Sequence, residues 1–369
     1  MVVEGSPSKP AARFAARLTL IASLAGALAC GTPREDGAQI ADSHTPSAGR
    51  LLGIDVSSAE GEEYDKAFEL ARQTGMQFTS LSIAWDEIET RPGEFAPDPN
   101  WLSIANSYYP AQGVPLALTI TPIDTNRFRL PDDLEGRAFD DPLVIARFER
   151  LLDYVFTQLP DVEFCVLSIG NEVDAALGSD GGAWERYRTF FQASAAYARR
   201  LRPGLPVGVK VTTAGLTGEA RSQAQALNTD ADLVLVTYYP LDSDFGVRSP
   251  DVVLADLAEL VSLYPDRLIG ILEAGYPSSA LLGSSEVMQA EFVRQIFGAW
   301  DSQATQIAML NFTWLTDAPR SSVEAWVEYY GLDDPRFAAF LATLGLRRSD
   351  GQPKLALGAL DAEAHARGR

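Results

Sequence analysis

Eight short, almost wholly apolar runs recur along this chain, and they constrain its fold more than any other feature. They span Leu51–Val56, Phe78–Ile83, Val114–Ile120, Glu163–Ile169, Pro206–Val211, Leu233–Tyr238, Arg267–Glu273 and Ile307–Trp314. Between them lie segments such as Tyr64–Thr74, Leu143–Gln158, Trp184–Leu201, Val252–Leu263 and Glu286–Trp300. Their apolar residues return every three or four positions, as in Phe148, Leu151, Leu152 and Val155. A strand apolar on both sides must be covered on both faces, which demands parallel neighbours joined by helical crossovers. Eight such units predict an α/β fold, a single-domain (β/α)8 TIM barrel over residues 50–369. An open doubly wound sheet uses the same units. However, neither GxGxxG nor GxxxxGK with a following Ser or Thr comes after any strand, so its usual nucleotide ligands are not indicated.

The barrel pattern starts only at residue 50. Ahead of it, Lys9, Arg13 and Arg17 precede the apolar run Leu18–Ala29, which is too short to cross a bilayer and reads as a secretory signal. Ala27, Leu28 and Ala29 run directly into Cys30, as in a bacterial lipobox. Residues 1–29 are therefore expected to be a lipoprotein signal peptide, with Cys30 the lipidated residue of an exported, envelope-anchored protein. Residues 30–49 are small and polar, include Pro33 and Pro46, and read as a flexible tether.

Scarcity narrows the chemistry. The only histidines are His44 and His365, and the only cysteines Cys30 and Cys165. No histidine- or thiolate-based zinc site, Ser-His-Asp triad or Cys-His pair can be assembled in the body of the chain. Acid–base work there must fall to Asp, Glu, Tyr or Lys. The formal charge of −20 argues against nucleic acid as a partner. A neutral ligand such as a sugar fits better; no cofactor or metal is expected, the only membrane association is the lipid anchor, and the protein is expected to be a monomer.

In a barrel, reactive residues gather at the C-terminal ends of the strands. Those ends carry Asp55, Trp85, Thr121 to Asp124, Asn171 with Glu172, Thr212, Tyr238 with Tyr239, Glu273 and Trp314. Carboxylates, amides, hydroxyls and indoles suit carbohydrate, since aromatic faces stack on sugar C–H surfaces while polar groups fix the hydroxyls. Glycosidic cleavage needs one carboxyl group to protonate the leaving oxygen and a second to attack the anomeric carbon or activate water. Glu172 and Glu273 end the fourth and seventh runs and converge on the barrel mouth from opposite sides. They are the expected catalytic pair. Asp55, Trp85, Asn171, Tyr238, Tyr239 and Trp314 are the expected substrate-binding residues.

Ser168-Ile169-Gly170-Asn171-Glu172 resembles the strand-four signature of glycoside hydrolase clan A. That resemblance implies that Glu172 is the acid/base and that Asn171 contacts the sugar 2-hydroxyl. Ile271-Leu272-Glu273 with Tyr276-Pro277 resembles the strand-seven nucleophile of the clan. Gly53-Ile54-Asp55-Val56-Ser57, Tyr238-Tyr239-Pro240 and Glu273-Ala274-Gly275-Tyr276-Pro277 look most like family 53, the endo-β-1,4-galactanases. The likeness spans about Leu51 to Leu360 and implies a retaining hydrolase acting on a β-linked polysaccharide or oligosaccharide such as galactan. The chain departs from the clan in two respects: Gln77 to Thr90 holds no Arg, Lys or His, where clan members place an arginine against the nucleophile, and the histidines that many members place on strands five or six are missing. Lys210 either replaces that charge or runs its stem along the barrel edge, and the second is expected. A barrel that binds glycan without cutting it is an alternative that the missing arginine favours. A lyase using Lys210 as a Schiff base is another.

Overall fold

A computed structural model describes residues 49–369. The expected signal peptide, Cys30 and nearly all of the tether lie outside the described residues. Eight parallel strands form the centre. We label them β1 (Leu51–Ile54), β2 (Thr79–Ala84), β3 (Leu116–Asp124), β4 (Phe164–Asn171), β5 (Val207–Gly208 with Lys210–Thr212), β6 (Val234–Tyr238), β7 (Ile269–Ala274) and β8 (Ile307–Phe312). β1 pairs with β8, β8 with β7, β7 with β6, and β6 with the second half of β5, all in parallel. β2, β3, β4 and the first half of β5 continue the ring. The Gly53–Phe78 bridge closes it between β1 and β2. The chain is a (β/α)8 barrel.

Long helices cover the outside. Pro142–Gln158 shows why they form. Asp141 caps the helix by accepting from the Leu143 amide, Pro142 occupies the first turn, and Val144, Phe148, Leu151, Leu152 and Val155 lie fully buried against the strands. Inside the lower barrel, Phe78, Ala117, Val166, Leu235, Leu272 and Met309 pack into a plug, so the barrel is filled below and polar above.

Two features lie at the upper rim. Beyond β8 the chain makes an insertion with helices Arg320–Tyr330 and Pro335–Ala342, built on a small core of Val323, Phe337 and Leu341. Beyond β3 a short return strand, Arg127–Phe128, folds back on Ile123 and Asp124. The Asp242–Gly246 segment is a plain turn: Asp242 Oδ1 accepts the amides of Asp244 at 2.9 Å and Gly246 at 2.7 Å. Asn311 of the Asn-Phe-Thr sequon sits fully buried in β8, out of reach of glycosylation.

Candidate active site

Strand alternation decides which side chains face the barrel axis. On β7, strict alternation from Gly270 would send Leu272 inward and Glu273 out to the helices. A bulge corrects this, because Val236 pairs with Ile271 but Thr237 pairs with Glu273. The extra residue re-aims Glu273 into the mouth.

Glu172 is placed differently. At the end of β4, Gly170 (φ +99°) takes a left-handed turn, and a Cβ there would run into the Tyr187 hydroxyl and Val173. Tyr187 donates that hydroxyl to the Ile169 carbonyl at 2.9 Å, which locks the strand end. Glu172 follows at φ +45° and Thr125 at φ +52°, both in a region that non-glycine residues visit at a cost of about 1–3 kcal/mol each. Such strain persists where packing over-determines the geometry. Here it brings Thr125 Oγ1 to Glu172 Oε2 at 2.9 Å.

The two carboxyl groups have different partners. Among the described residues Glu172 accepts only hydroxyls, from Thr125 and from Thr237 Oγ1 at 2.7 Å. Burial and the charge of Glu273 push its carboxyl up to about 7, against the pull of those two hydrogen bonds. Glu273 accepts from Lys210 Nζ at 2.6 Å and from the Tyr239 hydroxyl at 2.9 Å. Burial works against the Lys210 charge, but Glu273, with Asp55 and Glu172 behind it, more than offsets this and holds the ammonium above its ordinary value. Lys210 therefore does not run along the barrel edge as expected. It is an inward-facing counter-ion for Glu273, on β5 rather than β2.

Beside Glu273 lies a cavity of about 380 Å³, bordered by Asp55, Ser80, Asn171, Lys210, Trp314 and Tyr330 among others. Asp55 accepts from Ser80 Oγ and from Asn311 Nδ2, the latter at 2.8 Å. Burial raises its carboxyl to about 6 against those two bonds. Asn171 donates Nδ2 to Asp124 Oδ1 at 2.9 Å, while its Oδ1 is buried with no donor among the described residues. That oxygen is an unmet acceptor on a residue that borders the cavity. Trp314 follows a cis peptide and stacks on Trp326, ring centroids 5.0 Å apart.

Two expected binding residues are elsewhere. Trp85 is fully buried beneath the rim; its indole donates to Glu89 Oε2 at 2.7 Å and its ring meets Phe148 edge-on. Tyr238 points out of the barrel, stacks on Phe292 and donates to Asp256 Oδ2 at 3.0 Å. Parity explains both. Phe78, Ser80 and Ser82 face inward on β2, so Trp85 faces out; Leu235, Thr237 and Tyr239 share the inner parity of β6, so Tyr238 does not. The same count would have found Thr237 and Lys210. Thr125, Tyr330 and Trp326 carried no such signal, since loops bring them in.

No protein-family model matches the chain, and no curated protein does. Solved structures do match. A GH5_18 glycoside hydrolase variant of Streptomyces cattleya, in complex with Manβ1-4GlcNAc, superposes with TM-score 0.67 at 16% identity, over 86% of this chain and 80% of that one. An exo-β-1,4-mannosidase of Opitutaceae bacterium strain TAV5 gives 0.66 at 16% identity, over 86% of this chain and 59% of that one. A family 39 glycoside hydrolase of Bacteroides cellulosilyticus WH2 gives 0.57 at 16% identity, over 86% and 64%. The barrel is the one that these glycoside hydrolases use.

Proposed function

We propose that the chain is a retaining β-glycoside hydrolase, with Glu172 as acid/base and Glu273 as nucleophile. The observation that carries this reading is the unequal surroundings of the two carboxyl groups. Glu172, half-buried among hydroxyls and facing a second carboxylate, keeps its proton near neutrality and can give it away. Glu273 is paired with an ammonium and aimed by a phenol, the setting of a carboxylate nucleophile. In the first step a Glu273 oxygen bonds to the anomeric carbon as the glycosidic C–O bond breaks, and Glu172 passes its proton to the leaving oxygen. In the second, Glu172 takes a proton from water, whose oxygen displaces Glu273 from the same carbon. Asn171 Oδ1 accepts from a hydroxyl of the bound ring, and Trp314 offers it an aromatic face.

Lys210 supplies Glu273 with the positive charge that β2 lacks, which answers the motive for a barrel that only binds. An ammonium held charged by three carboxyl groups is also a poor Schiff-base nucleophile, which argues against the lyase. Two sugars have support. The solved structures of Streptomyces cattleya and Opitutaceae named above concern β-mannosides, while the motifs around Asp55, Tyr239 and Glu273 resemble those of β-1,4-galactanases. Export and anchoring through Cys30 are part of the same proposal and rest on residues 1–30 alone.

The test is a panel of β-1,4-mannan, β-1,4-galactan and aryl β-glycosides, run on the wild type beside Glu172→Ala and Glu273→Ala. Turnover that survives both substitutions would sink the site assignment. Glycan binding without any release of reducing sugar by the wild type would favour the non-catalytic alternative.

A further inference from the structure

The insertion after β8 does not stand free at the rim. Tyr329 donates its hydroxyl to Asp124 Oδ2 at 2.9 Å and accepts from Arg129 Nη1 at 2.9 Å. Asn126 Nδ2 donates to the Tyr330 carbonyl at 2.9 Å. Arg129 is in turn fixed by Asp86 and Glu87 after β2, each at 2.9 Å. The insertion is thus fastened across the mouth, over β1 and β2, to the loops that follow β2 and β3. Its second helix is tied to the loop after β6: Arg336 donates to the Asp244 carbonyl at 2.8 Å, and Phe245 packs on Phe337 and Phe340. Trp326, Tyr330 and Leu341 of the insertion border the cavity beside Glu273.

From this bridge we infer that the enzyme removes sugar from the non-reducing end of its substrate and does not cut internally. The inference rests on the hydrolase reading above. The ring whose anomeric carbon meets Glu273 occupies the cavity, and the leaving group departs past Glu172. A polysaccharide continuing beyond that ring would have to pass through the Tyr329–Asp124 and Asn126–Tyr330 contacts. A volume of about 380 Å³ is near the lower end of the roughly 300–1,000 Å³ usual for small-ligand sites, room for a chain end. On the Glu172 side the chain leaves β4 and β5 in single helical turns, Asp174–Leu177 and Thr213–Thr217, and the insertion does not extend over them in any contact named above.

The experiment uses β-1,4-linked manno- and galacto-pentasaccharides carrying a fluorophore at the reducing end. In the first few per cent of turnover, a single labelled product is expected, shortened from the non-reducing end. A simultaneous spread of labelled products of several lengths would overturn end-on action while leaving the hydrolase reading intact. No conversion of either pentasaccharide or of any panel substrate would remove the hydrolase reading and this inference with it. The paired substitution Asn126→Ala with Tyr329→Ala opens the wall and is expected to make internal products appear. Should that variant fail to fold, the same pentasaccharides capped by a bulky ether at the non-reducing 4-hydroxyl serve with the wild type. Loss of turnover on the capped substrate supports the inference, and an unchanged rate overturns it.

Discussion

Glu172 and Glu273 both end buried parallel strands, yet their surroundings have opposite electrostatic character. Glu172 accepts from two threonine hydroxyls; Glu273 accepts from Lys210 and Tyr239. In a water-poor site such differences are amplified, so two chemically identical side chains can divide the work of acid and nucleophile. The fold produces the difference by two devices: a left-handed turn places Glu172, and a bulge places Glu273.

Truncating each glutamate should break that comparison most sharply. Glu273→Ala is expected to cost on the order of 10⁴-fold or more in kcat with every leaving group, because no bond to the anomeric carbon can form. Glu172→Ala should cost about 10²–10⁴-fold on natural linkages, but far less in the first step with an activated aryl leaving group that needs no proton. Initial rates across a leaving-group series measure both. Equal sensitivity in the two variants would refute the division of roles.

Removing the cation comes next. Lys210→Met should lower kcat/KM by about 10²–10³-fold, the scale seen when one preorganised electrostatic partner is lost. Lys210→Arg should recover part of the loss. A fall in activity that Lys210→Arg does not relieve at all would mean that Lys210 is only structural.

The pH dependence of Glu172 gives an effect on both rate and stability. With its carboxyl raised to about 7, kcat/KM should fall as pH rises through that value and the acid is lost. The folded protein keeps this proton where the unfolded chain, at an ordinary value of 4.5, has given it up. The associated stabilisation is therefore complete below about 4.5 and is lost as pH rises through about 7. Asp55, raised to about 6, acts in the same direction. The thermal midpoint should fall from about pH 5 to about pH 8, and Glu172→Gln should flatten that slope.

The barrel was legible because its cause is local: eight apolar runs and the helical periods between them need no knowledge of distant contacts. The pair Glu172 and Glu273 was legible because both end such runs. The role of Lys210 was not legible, since nothing in the order of residues says that the cation missing from β2 is supplied three strands away. Thr125 and Tyr330 could not be read at all; their positions depend on a left-handed residue and on an insertion folding back across the mouth. Trp85 and Tyr238 lie off the site for a simpler reason: their residue type suits a sugar, but strand parity turns both side chains away from the mouth.

The two adjacent tyrosines turn that last point into the mildest test. Tyr239→Phe removes the phenol from Glu273 and should reduce kcat/KM by about tenfold, the loss of roughly 1.4 kcal/mol of hydrogen bonding to a charged group. Tyr238→Phe removes only a hydrogen bond to Asp256 on the helical side, where Arg248 already pairs with the same carboxylate at 2.7 Å. It should cost about 1 kcal/mol of stability or less and leave kcat and KM unchanged. A change in KM for Tyr238→Phe that matched the change for Tyr239→Phe would mean that both rings reach the sugar, and that the parity of β6 does not govern the site.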